Sequence, residues 1–149
     1  VTKVQCEYTW KHKKTGLSVL GKFDGEGENM IFELKTTRNA DPEQFMKDAF
    51  NFGYHLQCAT YLEAMARKGK YPDFYYIVIE KTAPYGISIM RPSQEYIALG
   101  KQELERLLLT FKMCMDNGKF GAGYEFASPR QDGIHTLDLP AWAKKLIDR

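Results

Sequence analysis

Residues 30–37 read MIFELKTT, a short run whose length and composition favour a strand over a helix. Successive strand side chains point to opposite sides, so Ile31, Glu33, Lys35 and Thr37 form one row and Met30, Phe32, Leu34 and Thr36 the other. The second row is the more apolar and is expected to pack on the core. Glu33 and Lys35 then project together from a strand beside that core, where a carboxylate and an amine are costly to desolvate unless they pair or bind something. Asp24 ends the preceding apolar run, and the break GEGEN at 25–29 returns the chain so that Asp24 and Glu33 lie near one another across adjacent strands. Two converging acids repel unless a cation sits between them. A hard dication such as Mg²⁺ takes oxygen ligands from one or two carboxylates and keeps waters. Lys35 beside it is placed to orient or deprotonate an attacking water and to steady a pentacovalent phosphate. A plainer reading stays open, in which Glu33 and Lys35 form an edge-strand ion pair and Asp24 only starts a turn.

Gln57 and Tyr61 are four residues apart and share a helix face, with Tyr54 and His55 just before them at the helix start. Such a polar stripe beside an apolar one suits a helix that lines a cleft, although an ordinary amphipathic surface helix has the same pattern.

The elements that must position these residues follow from periodicity. Residues 4–10 and 17–24 are β-rich and joined by the polar turn KHKKTG, which reads as a hairpin; with 30–37 it makes three antiparallel strands. Asp41-Pro42 starts a helix running to about Phe52, and Gly53 breaks it. A second helix over 55–67 places Leu56, Ala59, Leu62 and Ala66 on one stripe and stops at Gly69. Strands are expected at 74–81 and 86–92. A long amphipathic helix over 94–117, closed by Gly118, is expected to cover one sheet face. Residues 119–136 read as a surface loop and 139–146 as a short helix. The order of elements predicts an α/β fold, a central mixed β-sheet flanked by α-helices.

With 149 residues, 44% of them hydrophobic, the chain is the size of one domain able to bury a core, and 1–149 is read as a single domain. A net charge of +2 permits a polyanionic partner without requiring one. Local clusters at Lys11, Lys13 and Lys14, at Arg67, Lys68 and Lys70, and at Lys144, Lys145 and Arg149 either contact phosphates or are solvated faces. Cys6, Cys58 and Cys114 are scattered, so neither a zinc knuckle nor a disulfide framework is suggested, and reduced thiols of a cytoplasmic protein are expected. No run approaches the length needed to span a bilayer, and no leader opens the chain. Glycine-rich phosphate loops, GxSxG elbows and HExxH helices are missing. His12, His55 and His135 are scattered, and Trp10 and Trp142 read as core or interface anchors.

Taken in order, GKFDG, IFELKTT and QCATY resemble the PD-(D/E)xK nuclease superfamily in its RecB-like branch: an Asp, a hydrophobic strand bearing (D/E)xK, then a helix bearing QxxxY. Phe23 stands where that pattern often has proline. The KTGL turn, the Tyr54-His55-x-Gln57 run and the closing LPAWAKK extend the likeness to the RecE-type exonuclease VIII nuclease domain, over nearly the whole chain. The resemblance implies a restriction-endonuclease-like core and a Mg²⁺-dependent exonuclease, with Mn²⁺ as a possible substitute. It would degrade one strand of duplex DNA from its 5′ end, assemble as a homo-oligomeric ring and work with a single-strand annealing protein in phage-type recombination. By position, Asp24, Glu33 and the Leu34 carbonyl would hold the metal, Lys35 would be the catalytic lysine, and Gln57 and Tyr61 would complete the site. RecB-like nucleases usually carry a further metal-binding His or Glu in a helical segment before the first strand. This chain begins at Val1 in what reads as the middle of a strand, so that segment is expected upstream of it; His12, in the turn, is a poor substitute. Alternatives are an inert DNA-binding module of the same fold and an endonuclease. An iron–sulfur nuclease is disfavoured, since a four-iron cluster wants four thiolates.

Overall fold

The computed structural model describes residues 2–120. The sheet and every candidate site residue lie in the compact unit Val1–Met113. The short helix expected at 139–146, most of the 119–136 loop, His135, Trp142 and the last basic cluster lie outside the described residues.

Gly16, with φ of 70°, closes the first hairpin, where the Gly16 N–H donates to the His12 carbonyl at 2.8 Å. The hairpin strands are β1 (Lys3–Lys11) and β2 (Ser18–Glu26), antiparallel from Lys11↔Ser18 to Lys3↔Glu26. The break expected at 25–29 is shorter. Gly25 and Glu26 stay in β2 and pair with Phe32 and Ile31 of β3 (Met30–Thr37). Glycine is required there, because a Cβ at position 25 would lie 2.2 Å from the Phe32 ring.

Strand β3 then runs parallel to β4 (Asp73–Glu80) over its full length, from Met30↔Asp73 to Thr37↔Glu80. A parallel pair needs a crossover, supplied by helices α1 (Pro42–Asn51) and α2 (Tyr54–Ala66). Strand β5 (Ile87–Met90) returns antiparallel to β4, and the sheet order is β1-β2-β3-β4-β5. This is the expected mixed sheet flanked by helices.

Helix α1 starts where Asp41 accepts from the Gln44 N–H at 3.1 Å with Pro42 in the first turn, which satisfies an orphan donor and pre-sets φ. Gly53 in the left-handed region turns the chain into α2. Helix α2 buries Cys58, Ala59, Tyr61, Ala64 and Met65. It packs against Phe23 of β2 through Tyr61, with ring centroids 5.5 Å apart.

The face of β3 turned to this helix layer is the opposite of the one expected. Ile31 and Glu33 are buried and Lys35 is half-buried; in the other row Leu34 and Thr36 are exposed, and Phe32 is buried with its ring over Gly25. The more apolar row of Met30, Phe32, Leu34 and Thr36 therefore points away from the helices. The polar row is the inner one because Glu33 and Lys35 find partners from α2 there. On the outer face Leu20, Leu34 and Ile89 remain exposed.

Helix α3 (Gln94–Asn117) matches its predicted range. Its buried residue, Gly100, sits against α2: a Cβ there would fall 2.0 Å from the His55 carbonyl oxygen. Tyr96 and Ile97 pack against the core, while Leu107, Phe111 and Met115 of the expected apolar stripe are exposed. The helix thus meets α2 at Gly100 rather than spreading that stripe over a sheet face. No helix among the described residues is long and apolar enough to cross a membrane.

Candidate active site

Beyond Gly25↔Phe32 no further β2–β3 residue pair forms, and a side chain takes over the pairing. The Leu34 N–H donates to Asp24 Oδ2 at 2.8 Å. A strand residue turns its N–H and C=O to the same side, so the Leu34 carbonyl also faces the gap beside Asp24. The other Asp24 oxygen accepts from Gln5 Nε2 at 3.2 Å. Gln5 has φ of 50°, a left-handed conformation uncommon for a non-glycine residue. Gln5 and Asp24 are also the one position skipped between Val4↔Gly25 and Cys6↔Phe23. The ribbon kinks there, and side-chain alternation resets: Phe23 and Glu26, three residues apart, are both buried.

Glu33 lies deeper. Its Oε1 accepts from Lys35 Nζ at 3.2 Å and from Gln57 Nε2 at 2.9 Å, and Gln57 Nε2 also donates to the Tyr61 hydroxyl at 3.0 Å. Burial, reinforced by the nearby charge of Asp24, holds the Glu33 carboxyl above the usual carboxylate range against the pull of Lys35. Burial likewise raises Tyr61, with Glu33 adding to it, so its hydroxyl stays protonated. The structure thus brings together all of Asp24, Glu33, Lys35, Gln57 and Tyr61, and the Leu34 backbone with them.

Two polar atoms here are buried without a hydrogen-bond partner, Glu33 Oε2 and Gln57 Oε1. An orphaned carboxylate oxygen raised by burial beside a second acid is the donor chemistry that a hard cation satisfies. Asp24, Glu33 and the Leu34 carbonyl supply oxygen only, which suits Mg²⁺ or Mn²⁺. Among the described residues no group of three or more His, Cys, Asp and Glu side chains converges, so a cation here would rely on the backbone and on water for the rest of its shell.

Two neighbours of the site go unassigned in the sequence: Tyr54, which is placed at the helix start without a role, and Gln5. Tyr54 opens α2 and carries the Lys35 ammonium 4.2 Å from its ring centroid; its spacing of three before Gln57 and seven before Tyr61 was the available signal. Gln5 gave none, since its contact depends on the kink. His12 stands apart from the site. It is buried between Thr15 Oγ1 at 2.9 Å and Glu105 Oε2 at 2.8 Å, where it ties the first turn to α3. His55 stacks on Phe50 and meets Tyr96 edge-on. Trp10 is buried, as expected of an anchor. The Arg67, Lys68 and Lys70 cluster has partners within the chain: Arg67 pairs with Glu63, Lys68 lies 3.5 Å from the Tyr8 ring centroid, and Lys70 holds buried Glu26 at 2.7 Å.

Residues 5–124 match the family described as a PDDEXK-like domain of unknown function (DUF3799), and the chain belongs to that family. No curated protein matches it in sequence. Among solved structures, one from Eubacterium rectale, provisionally named an exonuclease, aligns with a TM-score of 0.68 at 19% identity over 97% of this chain. That likeness concerns the fold. The chain spans 56% of the length of that protein.

Proposed function

We propose that this PDDEXK-like domain is a divalent-cation-dependent nuclease that hydrolyses phosphodiester bonds from the ends of duplex DNA. The observation that carries the reading is the convergence of Asp24, Glu33, Lys35 and Gln57 around a buried, unpartnered Glu33 oxygen. Family membership and the exonuclease-named structural neighbour agree with it.

In this reading Asp24, Glu33 and the Leu34 carbonyl hold Mg²⁺, which supplies Lewis-acid stabilisation of charge on the scissile phosphate. Lys35, held at Glu33, presents its ammonium to the phosphoryl oxygens or to an attacking water. Gln57 fixes Glu33 from the helix side, and Tyr61 fixes Gln57. The 5′-to-3′ direction, the ring assembly, the annealing partner and the role in phage-type recombination follow the RecE-type resemblance and belong to the same proposal.

The test uses linear duplex labelled at either 5′ or 3′ ends and covalently closed circular duplex, each with and without Mg²⁺. The proposal expects Mg²⁺-dependent mononucleotide release from the 5′ ends of the linear duplex and an intact circle. A cut circle would make the protein an endonuclease. An inert DNA-binding module is the second reading, favoured by the small number of convergent acids among the described residues; it predicts duplex binding, insensitive to Mg²⁺, with no product.

A further inference from the structure

Lys35 enters a largely enclosed place with little to hold it. Its side chain is 14% exposed and its ion pair with Glu33 is 3.2 Å long. An ammonium has three donors, and one of them meets Glu33 Oε1. The remaining contact is with a ring, the Tyr54 face 4.2 Å from Nζ to centroid.

That ring is itself held fast. The Tyr54 carbonyl accepts from the Tyr76 hydroxyl at 2.7 Å. Its ring is packed against Phe45, Phe52 and Tyr76 at centroid distances of 6.1, 5.8 and 5.9 Å. Tyr76 on β4 is the register partner of Glu33 on β3, so the strand paired beside the acid also fixes the helix residue that faces the lysine. Tyr54 and Gln57 lie one turn apart on α2, and through them the helix grips Lys35 and Glu33 separately.

We infer that Tyr54 is a positioning residue for Lys35: its ring face holds the ammonium by a cation–π contact and aims it at the Glu33–Asp24 gap. The inference rests on the nuclease reading for its kinetic consequence, but not for its geometry. The negative face of an aromatic ring attracts a cation more strongly as water is removed from the pair, and the Lys35 side chain is 14% exposed. A lysine side chain has many rotamers to lose, and a ring locked by three aromatic neighbours confines it without competing for its hydrogen bonds to Glu33 or to a phosphate.

Two measurements on the full chain test this. In the first, protein carrying lysine labelled with ¹³C at Cε is examined by NMR, with the Lys35 signal assigned through Lys35→Arg. The expected result is a ring-current-shifted Lys35 signal that persists in Tyr54→Phe and moves to the position of an ordinary lysine in Tyr54→Leu. An unshifted wild-type signal, or one that does not move in Tyr54→Leu, overturns the inference. In the second, position 54 carries phenylalanine and its mono-, di- and trifluorinated analogues, which keep the ring's shape while weakening its negative face. The expected result is a stepwise fall in kcat for Mg²⁺-dependent hydrolysis, about tenfold across the series, or ~1.4 kcal/mol, with KM within about twofold and an unchanged melting temperature. A flat series at unchanged melting temperature makes Tyr54 an ordinary core aromatic. If wild-type protein hydrolyses nothing, the nuclease reading fails on its own, and the NMR measurement still decides where Lys35 is held.

Discussion

Replacing Gly100 with alanine sets two effects of opposite sign against each other. In an exposed helix interior the change is stabilising by about 0.8–1 kcal/mol, because alanine loses less backbone entropy. At Gly100 the added Cβ would lie 2.0 Å from the His55 carbonyl oxygen, 2.6 Å from its carbonyl carbon and 2.9 Å from Ala59 Cβ. These are backbone atoms and a methyl group on α2, and none can swing aside. Helices α2 and α3 must therefore separate by roughly 1 Å, in an interior packed too tightly to absorb it. Over-packing of this kind costs about 1–3 kcal/mol, and contact with backbone places Gly100→Ala near the upper end. After the propensity gain the net loss is about 2 kcal/mol, or roughly 6 °C in melting temperature for a domain of this size. Thermal and urea unfolding of the two proteins in the same buffer measure it. A variant as stable as wild type, or more stable, would refute the close α2–α3 approach.

Gln57→Leu separates stability from activity. It removes a buried amide oxygen that has no partner, which offsets the lost bonds to Glu33 and Tyr61, so unfolding free energy should change by less than about 1 kcal/mol. Initial rates on linear duplex should nonetheless fall at least about tenfold; an unaffected rate would remove Gln57 from the machinery. The Glu26 carboxyl is held below the usual range, chiefly by its hydrogen bond from Lys70 and then by that from Tyr8. A depressed folded pKa contributes stability that is present above the unfolded value near 4.3 and is lost as pH falls through the folded value. Wild type should therefore exceed Glu26→Gln by about 1 kcal/mol at pH 7, with the two curves meeting below about pH 4. A gap that persists in acid would assign the effect to packing.

Much of this arrangement is legible in the sequence because it depends on local period. Ile31, Glu33 and Lys35 share a strand face by alternation, and Gln57 and Tyr61 share a helix face by spacing; both hold in the structure. The assignment of the core face failed for a physical reason. Apolar count marks the buried row of an ordinary strand, but on β3 the buried row carries Glu33 and Lys35, whose desolvation is offset by Gln57 and Tyr54 across the chain. The kink at Gln5 and Asp24 was equally hidden, since nothing in VQCEYTW announces a left-handed glutamine. Gly100 reads as a weak point in a helix until the neighbouring backbone is known.

The central claim is that Asp24, Glu33 and Lys35 form one cation-dependent hydrolytic site. Its most direct test is the initial rate of linear-duplex hydrolysis as a function of Mg²⁺ concentration for wild type, Asp24→Asn and Lys35→Ala, each first shown to be folded by its melting curve. The account predicts saturable Mg²⁺-dependent turnover in wild type and a loss of at least about a thousandfold in both variants. Turnover that survives in either folded variant, or that proceeds in wild type with Mg²⁺ chelated, would contradict it.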